Sequence, residues 1–298
     1  MGKYDELFGG LADSGQPSGY EPLDPEEYKL LKQEERDHVF GMLDEITLKT
    51  GQDVGVFRQY LEVQARHINY TASNALLVLQ QEPTAKQLKT AQEWKRQGVW
   101  LNKNPKPVYI LKPGEQYRRQ EDGRIGQYYN PQKVYDISQT RSSRRPPSNL
   151  YDLHILLNAV LNTQIPIEVI QREIPDNLGA LYHPKNQQIY IQAGIEPEQI
   201  FKSCSRELAF AYLDEKGLDR ENAGFYAQTV SHLLCRHYGI ESNNYQVTSL
   251  PEAFRETDPK EIRSAFNLIS EPLNQIQRDM ENSIQAQTKQ KQAKSYTR

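Results

Sequence analysis

The sequence predicts an α+β protein in two domains, a small mixed one followed by a mainly helical one with a short sheet. Three observations carry this. Helical periodicity dominates up to about residue 97, then gives way to two short β-rich runs. A stretch with the composition of a linker, Ser142 to Ser148, contains a Pro-Pro that neither a helix interior nor a central strand accepts. Beyond it come a helix, two strands and further long helices. At 298 residues the chain is long enough for two domains of ordinary size.

The elements can be justified in order. Residues 1–23 are rich in Gly, Ser, Pro and acids, show neither helical nor strand period, and are expected to form a flexible leader. Asp24-Pro25-Glu26-Glu27 starts a helix, with an acid at the N-cap and proline at the first helical position. That helix should reach Lys49, bury Tyr28, Leu31, Val39, Leu43 and Ile46, and be broken by Gly51. A second helix carries Val56, Tyr60, Leu61 and Val63, a third starts near Ser73, and a fourth runs from about Lys86 to Gln97. Pro107 to Lys112 and Gln132 to Ile137 read as strands, with an exposed loop from Pro113 to Gly126 between them. The first domain is thus 24–141, the linker 142–148 and the second domain 149–278. The second opens with a helix (Leu150 to Leu161) and strands at Ile165 to Gln171 and Gln188 to Gln192. Helices follow near Glu196–Glu215, at Arg220–Tyr238 and after Pro259. Residues 279–298, rich in Gln and Lys with little to bury, are expected to be a disordered tail.

Composition excludes some classes and favours others. Mean hydropathy is -0.79, and no apolar run approaches the ~18–20 residues of a membrane span. The first residues lack the apolar core of a signal peptide. Cys204 and Cys235, far apart and within helical patterns, read as buried free thiols of a reducing compartment, and the cytoplasm is the expected location. The net charge of -3 is uneven: between Thr84 and Arg145, fourteen Lys and Arg face five acids. Such a local excess can hold a polyanion while the rest of the chain keeps it dissolved. Trp94, Trp100, Tyr109, Tyr117, Tyr128, Tyr129 and Tyr135 are interleaved with those cations. Cations that follow phosphates and flat rings on which bases stack are what non-specific single-strand binding needs.

The blocks Asn69-Tyr-Thr-Ala-Ser-Asn74, Leu76-Leu77, Gln92 to Gly98, Trp100 to Lys103, Val108 to Lys112 and Val134 to Thr140 resemble the N-terminal domain of ArdC-like antirestriction proteins of mobile elements. The resemblance implies binding of single-stranded DNA, with RNA as an alternative partner. The candidate contacts are Asn69, Tyr70, Asn74, Trp94, Lys95, Arg96, Trp100, Lys103, Lys106, Tyr109, Lys112, Arg118, Arg119 and Tyr135.

In the second domain, Ile189-Tyr-Ile-Gln followed by Glu198 to Ala211 resembles the strand and active-site helix of a zincin metallopeptidase, a domain that ArdC-like proteins also carry. The family's His-Glu-x-x-His sets two imidazoles one turn apart on a helix, with the Glu as general base. Here Arg206 and Phe210 stand at the two histidine positions and Glu207 remains. Tyr226-Ala-Gln-Thr-Val230, matching the family's third-ligand stretch, holds no acid. A guanidinium is always cationic and a phenyl ring has no lone pair, so the positions read as a degenerate metal site, with no metal, no cofactor and no catalysis expected. Glu207 is expected to find its partner on a neighbouring element, because adjacent helical side chains such as Arg206 point apart. His183, His232, His237 and Glu207 are the donors from which a divergent zinc peptidase would have to be built. A third reading makes the inactive groove a site for a protein partner. Ser203 and Ser205 lie near Glu207 but have no histidine base in the pattern, and no Gly-rich phosphate loop is present.

Overall fold

A computed structural model of the chain describes residues 24–119, 123–141, 151–175, 178–242 and 245–296. The leader and the linker expected from the sequence lie outside these residues. The described elements are α1 (Pro25–Gln52), α2 (Val54–Arg66), α3 (Ala72–Gln81), β1 (Leu88–Lys89), α4 (Ala91–Arg96), β2 (Val108–Arg118) and β3 (Ile125–Asp136). They continue with α5 (Leu153–Leu161), β4 (Ile167–Ile170), β5 (Ala180–His183), β6 (Gln188–Gln192), α6 (Pro197–Asp214), α7 (Arg220–Tyr238) and α8 (Pro259–Tyr296). The fold class is α+β, with two three-stranded sheets ordered β1-β3-β2 and β4-β6-β5.

The chain divides into two compact units, but not where the linker alone would cut it. Thr50–Ala72 belongs with the C-terminal part, and the first unit is the chain up to Lys49 together with the chain from Ser73 to the linker. The cause is an aromatic core. Phe57 on α2 packs against Phe225, Phe254 and Phe266 at centroid distances of 5.9, 5.5 and 5.9 Å, and Tyr60 meets Phe266 at 4.7 Å. Glu62 also pairs with Arg236 at 2.6 Å. Gly51 does not break α1. It sits inside the helix, where a Cβ would stand 2.6 Å from the Phe254 carbonyl oxygen, so the absence of a side chain permits this approach. The break comes at Asp53, whose carboxylate accepts from the Gly55 and Val56 amides as the cap of α2.

In the first unit, β2 and β3 form a long antiparallel ribbon. It extends through Pro113 and Gly114, expected to be loop, by an irregularity in register between Pro113 and Gln116. The fourth expected helix is cut to α4, because Leu88–Lys89 pairs with Asp136 and Tyr135 of β3 and Thr90 then closes a capping box with Glu93. Asp136 locks this corner by accepting from the Lys86, Gln87 and Ser138 amides at 2.7, 2.8 and 3.0 Å. Tyr28 is exposed rather than buried, whereas Val39, Leu43 and Ile46 are in the core.

In the second unit, β4 lies parallel to β6 and β5 antiparallel to it. The hairpin strand β5 escaped the sequence reading. α8 continues through the expected tail as far as Tyr296, with Met280 and Ile284 buried and Asp279 accepting from the Tyr212 hydroxyl at 2.9 Å. Cys204 and Cys235 are buried free thiols, each pushed up to about 12 by burial.

Candidate functional sites: an aromatic and basic ribbon, and an ion-pair cluster

The free edge of β2 is gripped by α3. Asn74 donates to the Leu111 carbonyl at 3.0 Å and accepts from its amide at 2.7 Å. Seven residues on, Gln81 does the same for Tyr109, at 2.9 and 2.8 Å. Two residues apart on a strand, Leu111 and Tyr109 turn their backbone groups to the same side, so two amides two helical turns apart can satisfy them. Asn74 is therefore a corrected expectation: its amide holds a strand rather than facing a ligand. Trp94 is corrected likewise. It is 2% exposed, and its indole donates to the Tyr135 carbonyl at 2.9 Å. Tyr135 is also buried. Tyr109 is half-buried, with the Lys133 ammonium 5.7 Å from its ring centroid.

Asn69 and Tyr70 belong to the second unit. Asn69 is exposed, and the Tyr70 carbonyl accepts from Gln64 and Asn274 at 3.1 and 3.2 Å. The remaining candidates of the first unit are at the surface: Lys95, Arg96, Lys103, Lys106, Lys112, Arg118 and Arg119 are all exposed. Trp100 is 60% exposed, with the Lys95 ammonium 5.9 Å from its ring. On the ribbon, Tyr117 and Tyr128 are exposed and lie ring to ring at 4.2 Å, and Tyr129, next along β3, is also exposed. Their residue types were legible in the sequence, but their exposure was not. The Arg36 guanidinium of α1, which sequence reasoning did not single out, stands 5.5 Å over the Tyr128 ring.

The second unit holds a different arrangement. Glu207 on α6 is completely buried. Arg220, in the first turn of α7, grips both its oxygens: Nη1 donates to Oε2 at 2.8 Å and Nη2 to Oε1 at 3.0 Å. The Tyr182 amide of β5 donates to Oε2 at 2.8 Å, so the expected partners on neighbouring elements are present. The expectation that Arg206 points away is corrected, since its Nε donates to Glu207 Oε1 at 2.9 Å. Its Nη2 reaches the Leu178 carbonyl at 3.0 Å and the Ala180 carbonyl at 3.5 Å, which bends the long side chain toward β5 and its own neighbour. Phe210 lies under Arg220, ring centroid 4.1 Å from the guanidinium carbon. Arg206 and Glu207 together thus satisfy the outer edge of β5.

These residues do not fit a zinc ion. Two of the three positions named by the zincin resemblance carry a cation and a phenyl ring, and the carboxylate between them is engaged by two guanidiniums. The histidines do not gather elsewhere. His232 Nδ1 is bonded to the Ser242 hydroxyl at 2.9 Å with its ring on Tyr245, and burial pushes it down to about 4, helped by the Arg236 charge. His237 Nδ1 is at 2.8 Å from the Ala65 carbonyl, and His183 is exposed. Among the described residues no group of three or more His, Cys, Asp or Glu could hold a metal ion. A cleft of about 470 Å³ lies between α6 and α7, lined by Lys202, Ser203, Arg206, Gln228 and His232 among others. No described helix is long and apolar enough to cross a membrane.

Fold and sites together define a two-unit α+β protein with an exposed aromatic and basic ribbon in one unit and a closed ion-pair cluster in the other. No family model and no curated protein matches the sequence. Among solved structures, two crystal structures of the antirestriction ArdC protein from plasmid R388 are similar to it, one metal-free and one with Mn(II) bound. Each is 16% identical with a TM-score of 0.44, covering 72% and 71% of this chain and 86% and 85% of theirs.

Proposed function

We propose that this chain is a non-catalytic single-stranded DNA-binding protein of a mobile genetic element, acting in conjugation or antirestriction, with a second unit that is a pseudo-metallopeptidase. The observation that carries the reading is the surface of the ribbon, where an exposed tyrosine pair is flanked by exposed arginines and lysines. Base stacking contributes ~1–3 kcal/mol per base whatever the sequence, and each neutralised phosphate adds salt-dependent affinity. Duplex DNA keeps its base faces stacked inside, so it can use the cations but not the rings. The sequence blocks shared with ArdC-like proteins support the same reading. The second unit is read as non-catalytic because Arg206, Phe210 and the doubly gripped Glu207 offer neither metal ligands nor an unengaged general base.

Competition between a single strand and its duplex for the full chain, at two salt concentrations, tests this. The single strand is expected to win at least tenfold, with both affinities falling steeply as salt rises. Equal affinity for duplex would remove stacking from the account.

A further inference from the structure

We infer that the first unit carries two separate stacking platforms, one toward the tip of the β2–β3 ribbon and one past its base, and that its ligand is a single DNA strand long enough to reach both. This rests on the single-strand reading above and adds the length of the ligand to it.

The distal platform is the Tyr117–Tyr128 pair. Tyr117 lies opposite Gly126 in the ribbon, and a Cβ at Gly126 would stand 2.5 Å from its Cζ. Glycine is what lets this ring lie flat across the strand and meet Tyr128, its diagonal neighbour on the same face. Tyr129, one residue on, points to the opposite face and takes no part. The proximal platform is Trp100, held beside the chain that leaves β3: its carbonyl accepts from the Arg141 amide at 2.8 Å, and Leu101 bridges Thr140.

The separation follows from strand geometry. β3 runs from Tyr128 to its end at Asp136, eight steps of ~3.3 Å or about 26 Å, before Trp100 is reached. A stacked single strand rises ~3.4 Å per nucleotide, so about eight nucleotides cover the β3 part of that path, before the turn at Ile137–Gln139 that leads to the segment beside Trp100. Cations mark the interval. Lys112 stands exposed opposite Asn130 along β2, and Lys103 and Lys106 lie exposed on the approach to that strand. Tyr109, which lies between the platforms in sequence, is half-buried with the Lys133 ammonium 5.7 Å from its ring centroid, and Trp94 and Tyr135 are buried. Once one platform is occupied, the other is met as an intramolecular partner at high effective concentration.

The test uses the full chain and oligothymidylates of 4, 8, 12 and 20 nucleotides at fixed salt. Affinity is expected to step up at least tenfold between 4 and 12 nucleotides and to gain little more at 20. Trp100→Ala and Tyr128→Ala should each cost at least tenfold on the 12-mer and no more than about twofold on the 4-mer, where either platform suffices. Both residues are exposed, and a matching thermal melt for each variant verifies folding. An affinity that rises only in proportion to length overturns the inference while leaving single-strand binding in place. So does a Trp100→Ala cost that is the same at 4 and 12 nucleotides. Absence of binding at every length removes the single-strand reading itself.

Discussion

The two units use the same residue types to opposite ends. In the first, Arg118 and Arg119 stand exposed on a ribbon beside Tyr117 and Tyr128. In the second, Arg206 and Arg220 converge on a fully buried Glu207, and Arg220 lies over Phe210. An arginine near an aromatic ring is therefore no signature by itself. Burial and the presence of a carboxylate decide whether the cation remains available to a polyanion or is consumed in holding the fold. Trp94 and Trp100 repeat the lesson six residues apart, one in the core and one 60% exposed.

That pair gives the largest expected contrast. Trp94→Ala removes a buried indole and its bond to the Tyr135 carbonyl, and should cost about 4 kcal/mol of stability. Trp100→Ala should stay within about 0.5 kcal/mol while weakening DNA binding. Denaturant unfolding of both variants measures the difference, and similar stability losses would erase it.

The cluster comes next. Glu207→Ala leaves two guanidiniums without their carboxylate and the Tyr182 amide without its acceptor, at a cost of about 3 kcal/mol. Single-strand affinity should not change, because the proposed strand site is the ribbon of the first unit. Elemental analysis of the wild-type protein is expected to find no stoichiometric zinc. Arg206→His with Phe210→His should still fail to bind it tightly, since two imidazoles fall short of the three protein ligands of a catalytic zinc site. One zinc per chain in the wild type would show that the site has been misread.

How much of this was legible depended on the range of the interactions. α7 could be read residue for residue because its signals are local: Asp219 caps it, accepting from the Asn222 amide, and Gly239 ends it at φ 72°. β6 was equally plain from the alternation of Ile189-Tyr190-Ile191. What escaped was decided across the chain. β1 was absorbed into a helix because its pairing with β3 is 46 or more residues away. Asn74 looked like a binding side chain, and its occupation by β2 is a tertiary fact. The grip of Arg220 on Glu207 joins two helices through a turn, which no i, i+4 pattern reveals. In the ribbon, residue types were visible, but which rings faced solvent was not.

A smaller effect separates the units by pH. His232 titrates in the fold near 4, against about 6.5 unfolded, and burial also pulls His237 down. Between those values the unfolded chain binds more protons. The His232 contribution is thus complete above pH 6.5 and is lost as pH falls toward 4. With solvent screening, about 0.7 kcal/mol per pH unit is expected from His232. His232→Gln should flatten that part of the profile in thermal melts, and an unchanged profile would contradict the assignment.

The most direct test of the account is the salt dependence of single-strand affinity in three proteins: wild type, the Tyr117→Ala/Tyr128→Ala double variant, and the Lys103→Ala/Lys106→Ala/Lys112→Ala triple variant. Removing the rings should weaken binding by ~1–3 kcal/mol per lost stack and leave the slope of log affinity against log salt unchanged. Removing the lysines should lower that slope by about 0.7 for each lost phosphate contact, near 2 in all. A slope that is indifferent to the lysines, or an affinity indifferent to the rings, would contradict the claim that this ribbon holds a single strand by stacking and by charge.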